Sequence, residues 1–275
     1  MKKLILFILV VFMISCNSSK KIADTSSKYY TDSIYSNSLK EFRLHNVYLP
    51  KNFNKKKKYP IIYATDGIPI KFNIKRKSEL DSLIQAKLTK PFILIESHYN
   101  SKIADSTSTA YGNGKKVYNK FRYFDYVPNQ TVDTILKQRF SKHMNYFVSE
   151  LIPTIEVQFN QKNKKENRFF YGYSNSASFG MNMLNSHPDL IGTYICYSII
   201  GGGIQSMEWK KTVNYPKLYV QYGNQEPEFV KKEADFLINK YEELNLFYDI
   251  KQFEGGHDEH IWKKEFIKTI KKILK

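Results

Sequence analysis

The residues most able to do chemistry fall in three short segments of a 275-residue chain. The first is Phe170-Tyr171-Gly172-Tyr173-Ser174-Asn175-Ser176-Ala177. An apolar run ends, small residues follow, and a helical pattern begins. A serine on so tight a strand-to-helix turn needs small residues two before and two after it. Its own backbone is strained, and the helix passes close to the strand. Gly172 meets the first requirement. Ser176 stands where the G-x-S-x-G pattern carries its second glycine, and keeps the small size. The helix start offers a positive dipole end and the Asn175 N–H, one donor for an oxyanion. Ser174 is therefore a nucleophile for acyl transfer, provided a base can reach it.

Glu254-Gly255-Gly256-His257-Asp258 is the second segment, and it follows the last apolar run. Its glycines put His257 on a loop free to reach a serine. Of the six histidines, His45 lies in a strand pattern, His143 on a helix, His187 in the turn Ser186-His187-Pro188-Asp189, and His260 enters the final helix. His257 alone follows the last strand on a Gly-rich turn, and is the expected general base. The third segment, Gly223-Asn224-Gln225-Glu226-Pro227-Glu228, closes the strand between the other two. Glu226 is the preferred acid to hold the imidazole tautomer, with Glu228 second. The order Ser, acid, His then runs along the chain. Cys196, inside the apolar stretch Tyr194–Ser198, reads as a buried free thiol and not as a nucleophile.

Regular elements must hold these segments. Strands are expected at 42–49, 59–65, 91–97, 168–173, 193–199, 217–222 and 247–253. Several are continuous apolar runs, as parallel strands covered on both faces are. Phe140, Met144, Phe147, Leu151 and Ile155 share one helix face, with Pro153 expected to kink or split that helix. Val230, Ala234, Leu237, Tyr241 and Leu244 mark another helix, and Trp262, Phe266, Ile270 and Leu274 a third. Strand-helix-strand alternation predicts a mostly parallel sheet with right-handed crossovers. The stretch from Tyr99 to Gln138 is irregular and too long for a plain connection, which marks a functional loop or cap. Its Tyr111, Tyr118, Tyr123 and Tyr126 line an aromatic-accepting site or pack the cap.

Composition bounds the rest. With 42% hydrophobic and 15% aromatic residues the chain buries a core, and two cysteines exclude a disulfide scaffold. The net charge is +17, but 38 of the 43 basic residues are lysine and they are scattered, so a solvated basic surface is expected and no nucleic acid. No metal or organic cofactor is expected. Met1-Lys2-Lys3 followed by the apolar run Leu4–Ile14 reads as an export signal too short to span a bilayer comfortably. Its end, Met13-Ile14-Ser15-Cys16, resembles a bacterial lipobox, with Cys16 lipidated. The expected organisation is a signal peptide over 1–15, a polar tether over 16–38 and one domain over 39–275. The location is the bacterial cell envelope, lipid-anchored to a membrane at the periplasm or the cell surface.

Taken together, the domain resembles the putative-esterase family of α/β hydrolases. That family includes esterase D-type enzymes, feruloyl and acetyl xylan esterases, and enterochelin-type siderophore esterases. The similar segments are Glu41–Pro50, Tyr59–Gly67 with its Asp-Gly ending, Arg122-Tyr-Phe-Asp-Tyr-Val-Pro128, Glu150–Ile155, His187–Leu190 and Gly255–Asp258. The resemblance implies an α/β-hydrolase fold, a mostly parallel central sheet flanked by helices. It implies Ser174 as nucleophile, His257 as base and Glu226 as acid, acting on a small-molecule or glycan ester through an acyl-enzyme. It puts the second oxyanion donor at the backbone of Gly67 or Ile68, and substrate contacts at Arg122 and Asp125. A siderophore esterase is the narrower alternative, and a non-catalytic binding lipoprotein on the same fold the more distant one.

Overall fold

The computed structural model describes residues 25–106, 118–128, 133–162 and 164–275. Among them eight strands form one sheet. From edge to edge its order is β1 (Lys28–Ser36), β2 (Glu41–Leu49), β4 (Ile93–His98), β3 (Ile61–Gly67), β7 (Arg168–Tyr173), β8 (Thr193–Tyr197), β9 (Lys217–Gly223) and β10 (Tyr248–Phe253). The β1–β2 and β2–β4 pairings are antiparallel, and the others are parallel. Two short strands, β5 (Ile103–Asp105) and β6 (Asn119–Lys120), pair separately. The helices are α1 (Arg76–Gln85), α2 (Phe121–Tyr126), α3 (Thr134–Lys137), α4 (Arg139–Asn145), α5 (Ile152–Gln158), α6 (Asn175–Ser186), α7 (Glu228–Glu243) and α8 (Glu259–Ile273).

Side chains alternate across the sheet, so each strand feeds two cores. Ile61 and Tyr63 of β3 join Phe170 of β7 against α5, α6 and α7, where Ile155, Phe179 and Leu237 are buried. Ile62 and Ala64 join Phe169 and Tyr171 on the opposite face, under Leu80 and Leu83 of α1 and Trp262, Phe266 and Ile270 of α8. Each large side chain taken fully out of water in this way contributes roughly 1.5–3 kcal/mol.

All seven strands read from the sequence are present within two residues of the expected ends. The tether is corrected: residues 28–36 are not a free linker but strand β1, in register with β2 from Lys28↔Leu49 to Ser36↔Glu41. An edge strand faces solvent along one side and needs few apolar residues, so its backbone pairing hides behind a polar sequence. Tyr30 and Ile34 are its inward contacts with the core. The long helix over Phe140–Ile155 is split, as Pro153 requires. A π-helical turn, Tyr146–Leu151, separates α4 from α5, and Pro153 sits at the start of α5 where its missing N–H is tolerated. Helix α1 has no counterpart among the sequence expectations; only Leu80, Leu83 and the buried stem of Arg76 mark its inner face.

Candidate active site

Parallel strands end on a common edge, and that edge gathers the three candidate residues. Ser174 follows β7, Glu226 follows β9 and His257 follows β10. Ser174 has φ 57° and ψ −131°, a conformation that L-residues avoid, at the point where strand gives way to α6. Its N–H donates to Tyr197 O at 2.8 Å, which ties the turn to β8. Gly172 is required here: a Cβ would meet the Ser176 carbonyl oxygen at 2.8 Å.

His257 Nε2 lies 3.0 Å from Ser174 Oγ, and His257 Nδ1 lies 3.2 Å from Glu226 Oε2. The carboxylate can only accept at Nδ1, so the neutral ring carries its proton there and leaves Nε2 as acceptor for the serine hydroxyl. Glu226 is nearly inaccessible, whereas His257 keeps about a third of its side chain exposed toward an incoming substrate. Burial pushes the Glu226 carboxyl up. Hydrogen bonds from His257, Ser198 Oγ and the Gly223 N–H outweigh it and hold the group below the usual carboxylate range. Glu228 opens α7 and does not reach the imidazole in this way.

Two further residues complete this half of the site. Ser198, just past β8, donates to Glu226 and accepts from Trp262 Nε1 at 2.7 Å. The Trp262 ring stacks on Tyr173 at 4.7 Å and meets the His257 ring edge-on at 4.6 Å. In the sequence Trp262 is only a core position of the last helix, and Ser198 only the end of an apolar run. The signal that could have found Ser198 is its place at the C-terminal end of a parallel strand, where sites of such sheets are built. The acid and histidine loops are also joined directly. Gln225 N–H donates to Gly255 O and Asn224 N–H to Phe253 O, and the approach is so close that a Cβ at Gly223 would lie 2.1 Å from Gly255 O.

The oxyanion candidates lie beside the nucleophile, because β3 is the neighbour of β7. The Asn175 N–H is one of the first amides of α6, which have no intrahelical partner. Ile68 is held from the other side: buried Asn46 donates Nδ2–H to Ile68 O at 2.8 Å and accepts from Thr31 Oγ1 of β1. Asp66, with φ 58°, stands just before Gly67. A groove of about 440 Å³ opens beside Gly67 and is lined by Phe42, Leu44, Pro69, His98, Tyr99 and Lys102.

Asp125 is too deeply buried to contact substrate as expected, and Arg122, partly exposed, is held by protein partners. Arg122 forks onto Asp66, Nε to Oδ1 at 2.6 Å and Nη2 to Oδ2 at 2.7 Å, and its Nη1 donates to Asn175 Oδ1 at 3.3 Å. Asp125 is fully buried, paired with Arg139 at 2.7 Å and Arg43 at 3.4 Å. The Arg-x-x-Asp segment thus docks α2: Asp125 anchors it in the interior and Arg122 grips the end of β3 at Asp66. Tyr126 is buried against Phe179, and its hydroxyl accepts from the Asp66 N–H at 3.3 Å. Tyr118 and Tyr123 are exposed, and Tyr111 lies outside the described residues, as does Cys16. Cys196 is a buried free thiol whose ionisation burial strongly disfavours. Among the described residues no three His, Cys, Asp or Glu side chains converge as a metal-ligand set. No helix among them is long and apolar enough to cross a membrane.

The family model described as Putative esterase matches residues 36–273. The chain belongs to that family. It is by that membership a carboxylic ester hydrolase. Solved structures agree on the fold. A ferulic acid esterase superposes with a TM-score of 0.69 at 17% identity, over 92% of this chain and 98% of its own. An IroE-like serine hydrolase from Shewanella oneidensis gives 0.64 at 18% identity, over 89% and 80%. The enterobactin esterase of Shigella flexneri gives 0.66 at 13% identity, over 89% of this chain and 59% of that one. Identities this low carry the α/β-hydrolase fold and nothing finer. A search of curated proteins finds no match.

Proposed function

We propose that this esterase is a serine carboxylic-ester hydrolase working through an acyl-enzyme on Ser174. The observation that carries the reading is the continuous line Ser174 Oγ–His257 Nε2 at 3.0 Å and His257 Nδ1–Glu226 Oε2 at 3.2 Å, assembled from the ends of three strands. Ser174 Oγ attacks the ester carbonyl while His257 Nε2 takes its proton. Glu226 fixes the tautomer and stabilises the imidazolium that forms. The Asn175 N–H and the Ile68 or Gly67 N–H receive the oxyanion. His257 then protonates the leaving alcohol, and water, activated by the same imidazole, hydrolyses the acyl-enzyme.

The groove beside Gly67 suits one arm of a small-molecule or glycan ester, with Phe42 and Tyr99 as apolar walls. The mature chain is exported and held by lipid on Cys16 at a membrane of the bacterial envelope. This part rests on the basic start, the apolar run over 4–14 and the Ser15-Cys16 junction.

Labelling with a fluorophosphonate, followed by mass spectrometry, tests the nucleophile. Label at Ser174 that disappears in Ser174→Ala and His257→Ala is the expected result. Ester hydrolysis retained in full by Ser174→Ala overturns the reading. Parallel assays with ethyl ferulate, an acetylated glycan and a ferric catecholate trilactone then sort the substrate class. Loss of lipid labelling in Cys16→Ala checks the anchor.

A further inference from the structure

Ser176 occupies the position where G-x-S-x-G carries glycine, and its hydroxyl is not idle. The side chain is fully buried. Its Oγ accepts from the Tyr173 N–H at 3.0 Å, the amide directly before the nucleophile. The single hydroxyl hydrogen has two acceptors at 2.8 Å, Asp66 Oδ2 and Tyr173 O. A carboxylate is the stronger acceptor, so the hydrogen belongs to Asp66.

Asp66 is in turn the junction of three elements. It ends β3 in a left-handed conformation, its N–H donates to Tyr126 Oη at 3.3 Å, and its carboxylate takes both the Arg122 fork from α2 and the Ser176 hydroxyl from α6. The result is a continuous chain: Tyr173 N–H to Ser176 Oγ–H to Asp66 Oδ2, with Arg122 on the other side. One end is the residue before Ser174. The other is the residue before Gly67 and Ile68. Arg122 Nη1 closes the ring on Asn175. A glycine at 176 would leave the Tyr173 N–H without the acceptor it has here and take from Asp66 its only bond to the nucleophile turn among the described residues.

We propose that Ser176 is a positioning residue whose hydroxyl, through Asp66, sets the spacing between the nucleophile turn and the oxyanion loop. The chain has come to depend on serine there, so restoring the glycine of the usual pattern lowers activity. This inference rests on Ser174 being the nucleophile.

The test compares Ser176→Gly and Ser176→Ala with the parent, with kcat referred to sites titrated by a fluorophosphonate. Misplaced reacting groups are felt in turnover more than in binding. The expected result is a kcat lower by about tenfold to a hundredfold with KM nearly unchanged, and phosphonylation of Ser174 slowed in proportion. In an Arg122→Gln background, where the chain is already loosened, the same Ser176→Gly change is expected to cost clearly less. Ser176→Ala keeps most of the side-chain volume, so it decides the matter if the glycine variant does not fold. A kcat within twofold of the parent in the folded variant, or an equal loss in both backgrounds, overturns the proposal. Ser174→Ala is the control: if it still hydrolyses ester, the nucleophile reading fails, whatever happens at 176.

Discussion

His45 is buried in the sheet, and that makes the stability of the fold depend on pH in a way that can be measured. It lies in the middle of β2, opposite Asp32 of β1 and Ser97 of β4, with no solvent exposure. Neither ring nitrogen has a hydrogen-bond partner. Burial drives the imidazole down and His98 adds to this, while Asp32 and the Arg43 backbone oppose, so the group falls from 6.5 to about 4. The fold therefore holds a neutral ring, whereas the unfolded chain binds a proton as pH falls below 6.5. More protons on the unfolded state means stability rises with pH, so stability is lost on acidification from 6.5 and the loss levels off near 4. At about 1.4 kcal/mol per pH unit the full window is worth about 3 kcal/mol, of which about 2 kcal/mol is gone by about pH 5.

The perturbation is His45→Leu, similar in volume and unable to titrate. Unfolding free energies from urea titrations at about pH 7.5 and about pH 5 are the assay. The parent is expected to lose about 2 kcal/mol more than the variant between the two conditions. The other histidines remain in both proteins, so the part of their contributions that does not depend on His45 cancels in the comparison. Equal losses would mean that His45 binds its proton in the folded state, and would refute the burial reasoning.

The acid of the site and the edge of the sheet give two more tests. Glu226→Gln leaves a neutral partner for His257 Nδ1 and is expected to lower kcat by on the order of a thousandfold or more, whereas Glu228→Gln leaves kcat near the parent value; steady-state kinetics on a chromogenic ester decides between them. Removal of residues 1–24 is expected to leave the urea midpoint of the domain unchanged, while removal through Ser36 strips β1 and lowers stability by at least about 2 kcal/mol, since Tyr30, Ile34 and the Ser27, Tyr29 and Thr31 hydrogen bonds go with it. A tether over the whole of 16–38 would make the two truncations equal.

What the sequence discloses here is whatever is local. Short, largely apolar runs mark β3, β4, β7, β8 and β9, because strands covered on both faces need them. Gly172 and Gly255 mark tight turns, because a Cβ at Gly172 would meet the Ser176 carbonyl oxygen and Gly255 has φ 130° with Ile261 against it. Ser174, His257 and Glu226 could be proposed because each is the distinctive residue just past a strand. What stayed hidden depends on segments that meet only in the fold. Asp66 meets Ser176 across 110 positions, and Trp262 meets Ser198 across 64. Arg122 and Asp125 look alike as charges in a loop; only the docking of α2 shows that one is fully buried and the other spent on Asp66. Strand β1 escaped for a different reason, because an edge strand is held mainly by its backbone, which has no residue signature.

Backbone strain points to the same edge without any motif. Eight non-glycine residues among those described have positive φ: Lys40, Asn52, Asp66, Lys87, Asn160, Ser174, Ser198 and Asn245. Lys87, Asn160 and Asn245 each follow the C-cap of a helix, α1, α5 and α7, where the left-handed conformation ends the helix. Lys40 closes the β1–β2 turn, and Asn52 lies in the turn after β2. The remaining three stand at the ends of three neighbouring strands, Asp66 at the last-but-one position of β3, Ser174 after β7 and Ser198 after β8. Each costs on the order of 1–3 kcal/mol and persists only if its surroundings over-determine it. The braces are visible: Arg122 and Ser176 on Asp66, the Tyr197 carbonyl on Ser174, the Gln221 carbonyl and Trp262 on Ser198. In all three the reversed backbone aims a side chain along the sheet edge, toward the elbow, the imidazole and the acid respectively. A glycine at any of them would relieve the backbone and remove the group the site uses, so the strain lies where the proposed chemistry needs it.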